Sequence, residues 1–172
     1  MEQDGDMKEE EHGKRGKAVR ESVSFILYLI VIVVLTFLMI RYVGQRTRVD
    51  GSSMENTLTN GDNLIVDKIS YRFHEPERFD IIVFPYQYKE DTYFIKRIIG
   101  MPGETVQITD KGEILINGEE LVESYGREVI KDPGLASDPI TLGEDEYFVM
   151  GDNRNYSKDS RFPDVGNIKR AD

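Results

Sequence analysis

Residues 22–40 (SVSFILYLIVIVVLTFLMI) hold no charged side chain, and most of them are large and aliphatic. A helix rises ~1.5 Å per residue, so about 20 such residues cross a hydrocarbon layer of roughly 30 Å. Lipid cannot satisfy backbone amides, and a helix satisfies them within the segment. A cleavable export leader would carry an apolar stretch of about 7–15 residues followed by a small-residue cleavage site. This run is longer and leads into Arg41-Tyr42-Val43. Core helices of soluble domains are rarely apolar on every side. The run therefore predicts one transmembrane helix over 22–43, in contact with membrane lipid.

Lys14, Arg15, Lys17 and Arg20 crowd the N-terminal flank, and Arg41, Arg46 and Arg48 follow the span. Short basic flanks stay inside, whereas long domains cross with little regard to charge. That predicts a cytoplasmic N-terminus and an extracytoplasmic domain. Residues 1–21 are highly charged with almost nothing to bury, so a disordered tail is expected there.

The remaining residues, 44–172, are enough for one compact domain and read as short strands between turns. Runs at 63–68, 80–84, 93–99, 105–109, 114–116 and 147–150 are apolar or alternating, and Gly, Pro, Asn or Asp separate most of them. Asn117-Gly118 is a strong hairpin signal toward Leu121. No long amphipathic pattern follows the anchor, so the domain should be mainly β with antiparallel sheets. Residues 124–143 carry Pro and Gly without a clear period, which suits a flexible insertion or an irregular excursion from the sheet.

Composition removes several classes of function. Net charge is -10 and basic residues are scattered, so no stripe exists for a nucleic-acid backbone. Cysteine is absent, which excludes a thiol nucleophile and thiolate metal sites. His12 and His74 are the two histidines, so neither a metal site nor a histidine-based catalytic pair is expected.

Three stretches could carry chemistry. In residues 51–58 (GSSMENTL) small residues place Ser53 on a turn where its hydroxyl can be exposed. Lys96 interrupts an apolar run made by Phe94, Ile95, Ile98 and Ile99. As a strand, this run puts Phe94, Lys96 and Ile98 on one face and Ile95, Arg97 and Ile99 on the other. Either the ammonium snorkels to water, or burial favours the neutral amine. An unperturbed lysine titrates near ~10.4, so roughly one in 250 is neutral at pH 8, and desolvation can raise that fraction by orders of magnitude. Ser–Lys pairs are an accepted substitute for Ser–His–Asp. In residues 151–161 (GDNRNYSKDSR), Asp159 and Arg161 are two apart and can pair in extended chain, and the Ser157 hydroxyl could orient a lysine amine. A solvated loop is the plainer account of that stretch.

Together and in this order, the stretches resemble the bacterial type I signal peptidases, the leader peptidase family. Residues 53–58 (SMENTL) are similar to its nucleophile motif, 78–84 (RFDIIVF) to its Arg-Gly-Asp strand, 93–104 (YFIKRIIGMPGE) to its lysine motif, and 151–161 to its last signature. The resemblance implies an antiparallel coiled β-sheet serine protease domain beside a bacterial cell membrane, behind one transmembrane helix. It assigns the nucleophile to Ser53, the general base to Lys96, the lysine-orienting hydroxyl to Ser157, and a supporting network to Asp152, Asp159 and Arg161. Met54, Phe94 and Ile95 are expected to line the pocket for the residue before the cut. The implied partners are signal peptides of secreted preproteins with Ala-x-Ala ends, and no cofactor or metal is implied. A membrane-tethered β domain, or an inactive relative that binds without cutting, is the alternative. Four departures stand out. The family often has Pro where Asn56 stands and Gly where Phe79 stands, and neither position is expected to carry chemistry. Gly51 stands where some members place a hydroxyl that helps hold the oxyanion. Relatives usually continue past Asp172 with another apolar strand, so either a truncated domain or a naturally short one is expected, in both cases with an open sheet edge.

Overall fold

The computed structural model describes residues 3–42 and 44–170. The chain divides into two units, 1–45 with 67–69, and 46–66 with 70–172. The first carries α1 (Gln3–Tyr42). Its window Arg20–Arg41 is long and apolar enough to cross a membrane. The helix begins at Gln3 and takes in residues 3–21 of the charged tail, while residues 1 and 2 lie outside the described residues. Its Glu and Lys residues are good helix formers, and extending an existing helix avoids the cost of nucleating a new one.

The second unit is mainly β, as expected. A two-stranded ribbon pairs β1 (Gly44–Arg48) with β2 (Asn63–Asp67). One four-stranded sheet has the order β10-β9-β4-β3, built from β3 (Ile81–Pro85), β4 (Tyr93–Gly100), β9 (Glu146–Met150) and β10 (Ile168–Lys169). A second sheet has the order β7-β6-β5-β8, from β5 (Thr105–Ile108), β6 (Ile114–Ile116), β7 (Glu119–Glu120) and β8 (Ile140–Thr141). The pairs with determined register in both four-stranded sheets are antiparallel.

Strand alternation explains the two cores. Ile99, Phe148 and Met150 face one way and join Val106, Ile108 and Ile114 of the second sheet. Ile98, Tyr147 and Val149 face the other way and pack with Phe84, Val165 and Ile168. Where β4 meets β9, both faces of the sheet are therefore dry, which accounts for the continuous apolar sequence there.

β4 itself has two halves. β3 pairs along its length, from Ile81 opposite Arg97 to Pro85 opposite Tyr93. β9 reaches only Arg97, Ile98 and Gly100. Among the described residues, no strand pairs with residues 93–96 on that side. Ser53 lies beside this open edge.

Residues 124–143 form the irregular excursion, not the flexible insertion. They contain the short 3-10 turn Gly134–Ser137 and strand β8. The excursion is pinned to distant chain: the Arg127 amide donates to the Asp152 carbonyl at 2.9 Å, and its guanidinium donates to Glu55 at 2.7 Å.

Candidate active site

The turn that carries Ser53 is a short coil of hydrogen bonds. The Thr57 and Leu58 amides both donate to the Met54 carbonyl at 2.8 Å, and the Glu55 amide donates to the Ser52 carbonyl at 3.2 Å. Gly51 enters the turn at φ +109, a left-handed value that glycine adopts without steric cost. From the far end of the sequence, Asn153 grips the turn twice. Its amide donates to the Ser53 carbonyl at 3.0 Å, and its side-chain amide donates to the Ser52 carbonyl at 3.0 Å.

Lys96 projects from β4 to the same place. Its Nζ donates to Ser53 Oγ at 2.9 Å and to the Ile95 carbonyl at 2.9 Å. The side chain is buried, and desolvation lowers the ammonium pKa to about 8, against an upward pull from the Asp159 charge. The snorkelling account of Lys96 is therefore excluded, because its amine ends inside the protein rather than in water.

Asp159 and Arg161 pair as their spacing predicts, with Arg161 Nε 2.8 Å and Nη2 2.9 Å from the carboxylate. Both are buried. The Gly151 amide also donates to Asp159, at 3.1 Å. Ser157 differs from expectation. Its hydroxyl donates to Asp159 Oδ2 at 2.7 Å, and among the described residues it forms no hydrogen bond with Lys96. An ionised carboxylate two residues away is the stronger acceptor, so Ser157 meets the lysine's charge partner instead of the lysine.

Asp152 is the second buried carboxylate, and its partner was not anticipated. Arg97 grips it with two bonds, Nε at 2.8 Å and Nη2 at 2.6 Å, and the Thr57 hydroxyl also donates to it. The third arm of the guanidinium donates to the Phe79 carbonyl at 2.8 Å, and its plane lies 3.7 Å from the centre of the Tyr125 ring. Arg97 is adjacent to Lys96 in sequence, yet alternation sends it to the opposite face. An arginine in an otherwise apolar run was the signal that could have exposed it, since a buried guanidinium needs a carboxylate.

Gly151 explains why the last signature opens with glycine. A Cβ there would lie 2.3 Å from Ser157 Oγ and 2.4 Å from the Ser53 carbonyl oxygen. Only a residue without a side chain lets the two stretches meet.

Beside Ser53 and Lys96 lies a groove of about 330 Å³, lined in part by Met54, Val83, Phe94 and Ile95. Met54, Phe94 and Ile95, the residues expected at a substrate pocket, thus converge on one surface. Met54 is buried, and Phe94 and Ile95 are half-buried. Lys158 stands on the same wall, where hydrogen bonding to Asp164 pushes its pKa up to about 12.

A domain of antiparallel sheets with a serine hydroxyl hydrogen-bonded to a buried lysine narrows the class, and comparison with known proteins fixes the family. Residues 21–172 match the family model described as signal peptidase, peptidase S26, and the chain belongs to that family. It is 44% identical over 128 residues to a protein named signal peptidase I from Leptolyngbya laminosa, covering 70% of this chain and 61% of the relative. Against the probable signal peptidase I-2 of Synechocystis it is 40% identical over 126 residues, covering 70% of this chain and 56% of the relative. Signal peptidase I of Bacillus amyloliquefaciens is 36% identical over 162 residues, covering 89% of this chain and 83% of the relative. The chain thus spans under two thirds of the length of the first two.

Proposed function

We propose that this chain is a membrane-anchored serine endopeptidase that removes signal peptides from exported preproteins. The observation that carries the reading is the 2.9 Å hydrogen bond from Lys96 Nζ to Ser53 Oγ, made by an amine whose burial brings its pKa to about 8. A large fraction of such lysines is neutral at mildly alkaline pH and can accept the serine proton as the hydroxyl attacks a peptide carbonyl. Lys96 returns that proton to the leaving amine as the C–N bond breaks, and the acyl-enzyme left on Ser53 is then released by water that gives its proton to the again neutral Lys96.

Substrate delivery follows from the open half of β4. An extended peptide can add to the free edge at residues 93–96, as peptides do on exposed sheet edges. Its carbonyl would then lie near Ser53, and the residue before the cut would enter the space between Met54, Phe94 and Ile95. Filled by those side chains, the space suits an alanine. Among the described residues the Ser53 amide has no hydrogen-bond partner, which leaves it available to the developing oxyanion. Asp159, Arg161 and Ser157 set the charge around Lys96, and Arg97 with Asp152 holds the nucleophile turn through Thr57. The window Arg20–Arg41 is read as the anchor, with the basic N-terminal flank in the cytoplasm and the domain outside.

The test is cleavage of a preprotein with an Ala-x-Ala end by the detergent-solubilised chain. Cutting after the second Ala should fall by about 10⁴-fold or more in both Ser53→Ala and Lys96→Ala. Undiminished cutting by Ser53→Ala would overturn the assignment.

A further inference from the structure

Phe94 forms part of the groove wall, and what stands behind it is specific. The Tyr86 ring stacks on Phe94 with centroids 4.5 Å apart and planes 12° from parallel. Phe84 meets the same ring edge-on at 6.2 Å. Tyr86 follows β3 directly, and its amide closes the hairpin to β4 by donating to the Thr92 carbonyl at 2.8 Å. Its hydroxyl accepts from Lys158 Nζ at 3.0 Å, and Lys158 is ion-paired with Asp164. Tyr86 itself is not part of the groove lining. Tyr86 and Asp164 also lie outside the four motifs that carry the family resemblance.

A small pocket excludes large side chains only while its wall cannot retreat. Phe94 is half-buried and stands on the strand half that lacks β9, so strand pairing on that side does not hold it. The flat face of Tyr86 fills the space into which Phe94 could move. The Lys158–Asp164 pair fixes the far end of the tyrosine. We infer that Tyr86, clamped by Lys158 and Asp164, is a specificity-determining residue that holds Phe94 in place and so limits the side chain accepted before the scissile bond to the size of alanine. The inference rests on the reading of the groove as a peptide site beside Ser53.

Selectivity is read as the ratio of kcat/KM for two preproteins that differ only in Ala or Val at the residue before the cut. The full detergent-solubilised chain should prefer Ala by about a hundredfold, the scale that a tight apolar pocket attains. In Tyr86→Leu the ratio should fall at least about tenfold, chiefly through a lower KM for the Val substrate. Tyr86→Phe, Lys158→Met and Asp164→Asn, which keep an aromatic face behind Phe94 but loosen its clamp, should each lower the ratio a few-fold. Because both substrates are measured on one preparation, the folded fraction cancels. A tyrosine that mattered only for folding would lower both rates together and leave the ratio intact. If Tyr86→Leu fails to fold, Asp164→Asn and Tyr86→Phe, whose positions lie outside the groove lining, decide. A selective wild type whose ratio is unchanged in the variants overturns this inference alone. A wild type that cuts neither substrate removes the groove reading, and the inference with it.

Discussion

Lys96 and Arg97 are consecutive buried cations on one strand, and their two surroundings are opposite. Arg97 faces a carboxylate made for it, with two bonds to Asp152 and a third to the Phe79 carbonyl. Lys96 faces a serine hydroxyl and a backbone carbonyl, and its nearest electrostatic support is the more distant Asp159. Pairing keeps one cation charged and fixed. Withholding a pair pushes the other toward neutrality, and a neutral amine is the form that can take a proton. A β-strand can thus place a paired cation and a desolvated amine 3–4 Å apart along the chain (roughly one residue's rise) in unlike surroundings.

Removing each cation should test that contrast, beginning with the larger effect. Arg97→Met leaves the Asp152 carboxylate buried without its partner, and unfolding measured in urea should show a loss of about 3–5 kcal/mol. An unchanged midpoint would mean that the pair is not what holds this face.

Lys96→Met should act in the other direction. Lowering a lysine pKa from 10.5 to about 8 means that the folded chain binds fewer protons than the unfolded one between those values. Wild-type stability therefore carries its full penalty below about pH 8, and the penalty fades as pH rises toward 10.5. At neutral pH the methionine variant should be more stable by up to about 3 kcal/mol, with the gap closing in alkali. A gap that did not depend on pH would refute a buried, proton-losing lysine.

The smallest effect concerns Asp159. Cleavage should rise with pH through a midpoint near 8, where Lys96 loses its proton. Asp159 raises that value, so Asp159→Asn should move the midpoint to the acid side while lowering stability through Arg161. A shift to the alkaline side would show that Asp159 does not act on Lys96 by its charge.

Much of the site was legible because strand alternation and motif order are local properties. Lys96 inside an apolar run, Ser53 on a small-residue turn and the Asp159–Arg161 spacing could all be read directly. Arg97 was read only as the far face of its strand, since its partner lies 55 residues away. Phe79 is a similar case. The resemblance often puts glycine at this position, and the structure puts Phe79 at φ +75, where glycine is at ease and phenylalanine is strained. The position matters for backbone shape, because its carbonyl receives Arg97 and its amide donates to the Ile98 carbonyl at 2.9 Å. Ser157 shows the reverse limit, a residue singled out in the sequence that meets Asp159 rather than Lys96.

By itself, the sequence determined the apolar helix, the β character of the domain, and the identities of the serine, lysine, aspartate and arginine that meet near the groove. The helix and the β character follow from periodicity and turn chemistry, which neighbours along the chain express, and the site residues follow from motifs whose order resembles that of a known family. Only the tertiary structure decided that Gly151 lets residues 53 and 157 touch, that Asn153 grips the turn carrying Ser53, and that Arg97 takes Asp152. It also left half of β4 open beside Ser53. Those choices depend on contacts between segments far apart in sequence, where packing and desolvation select the partner and no local pattern names it.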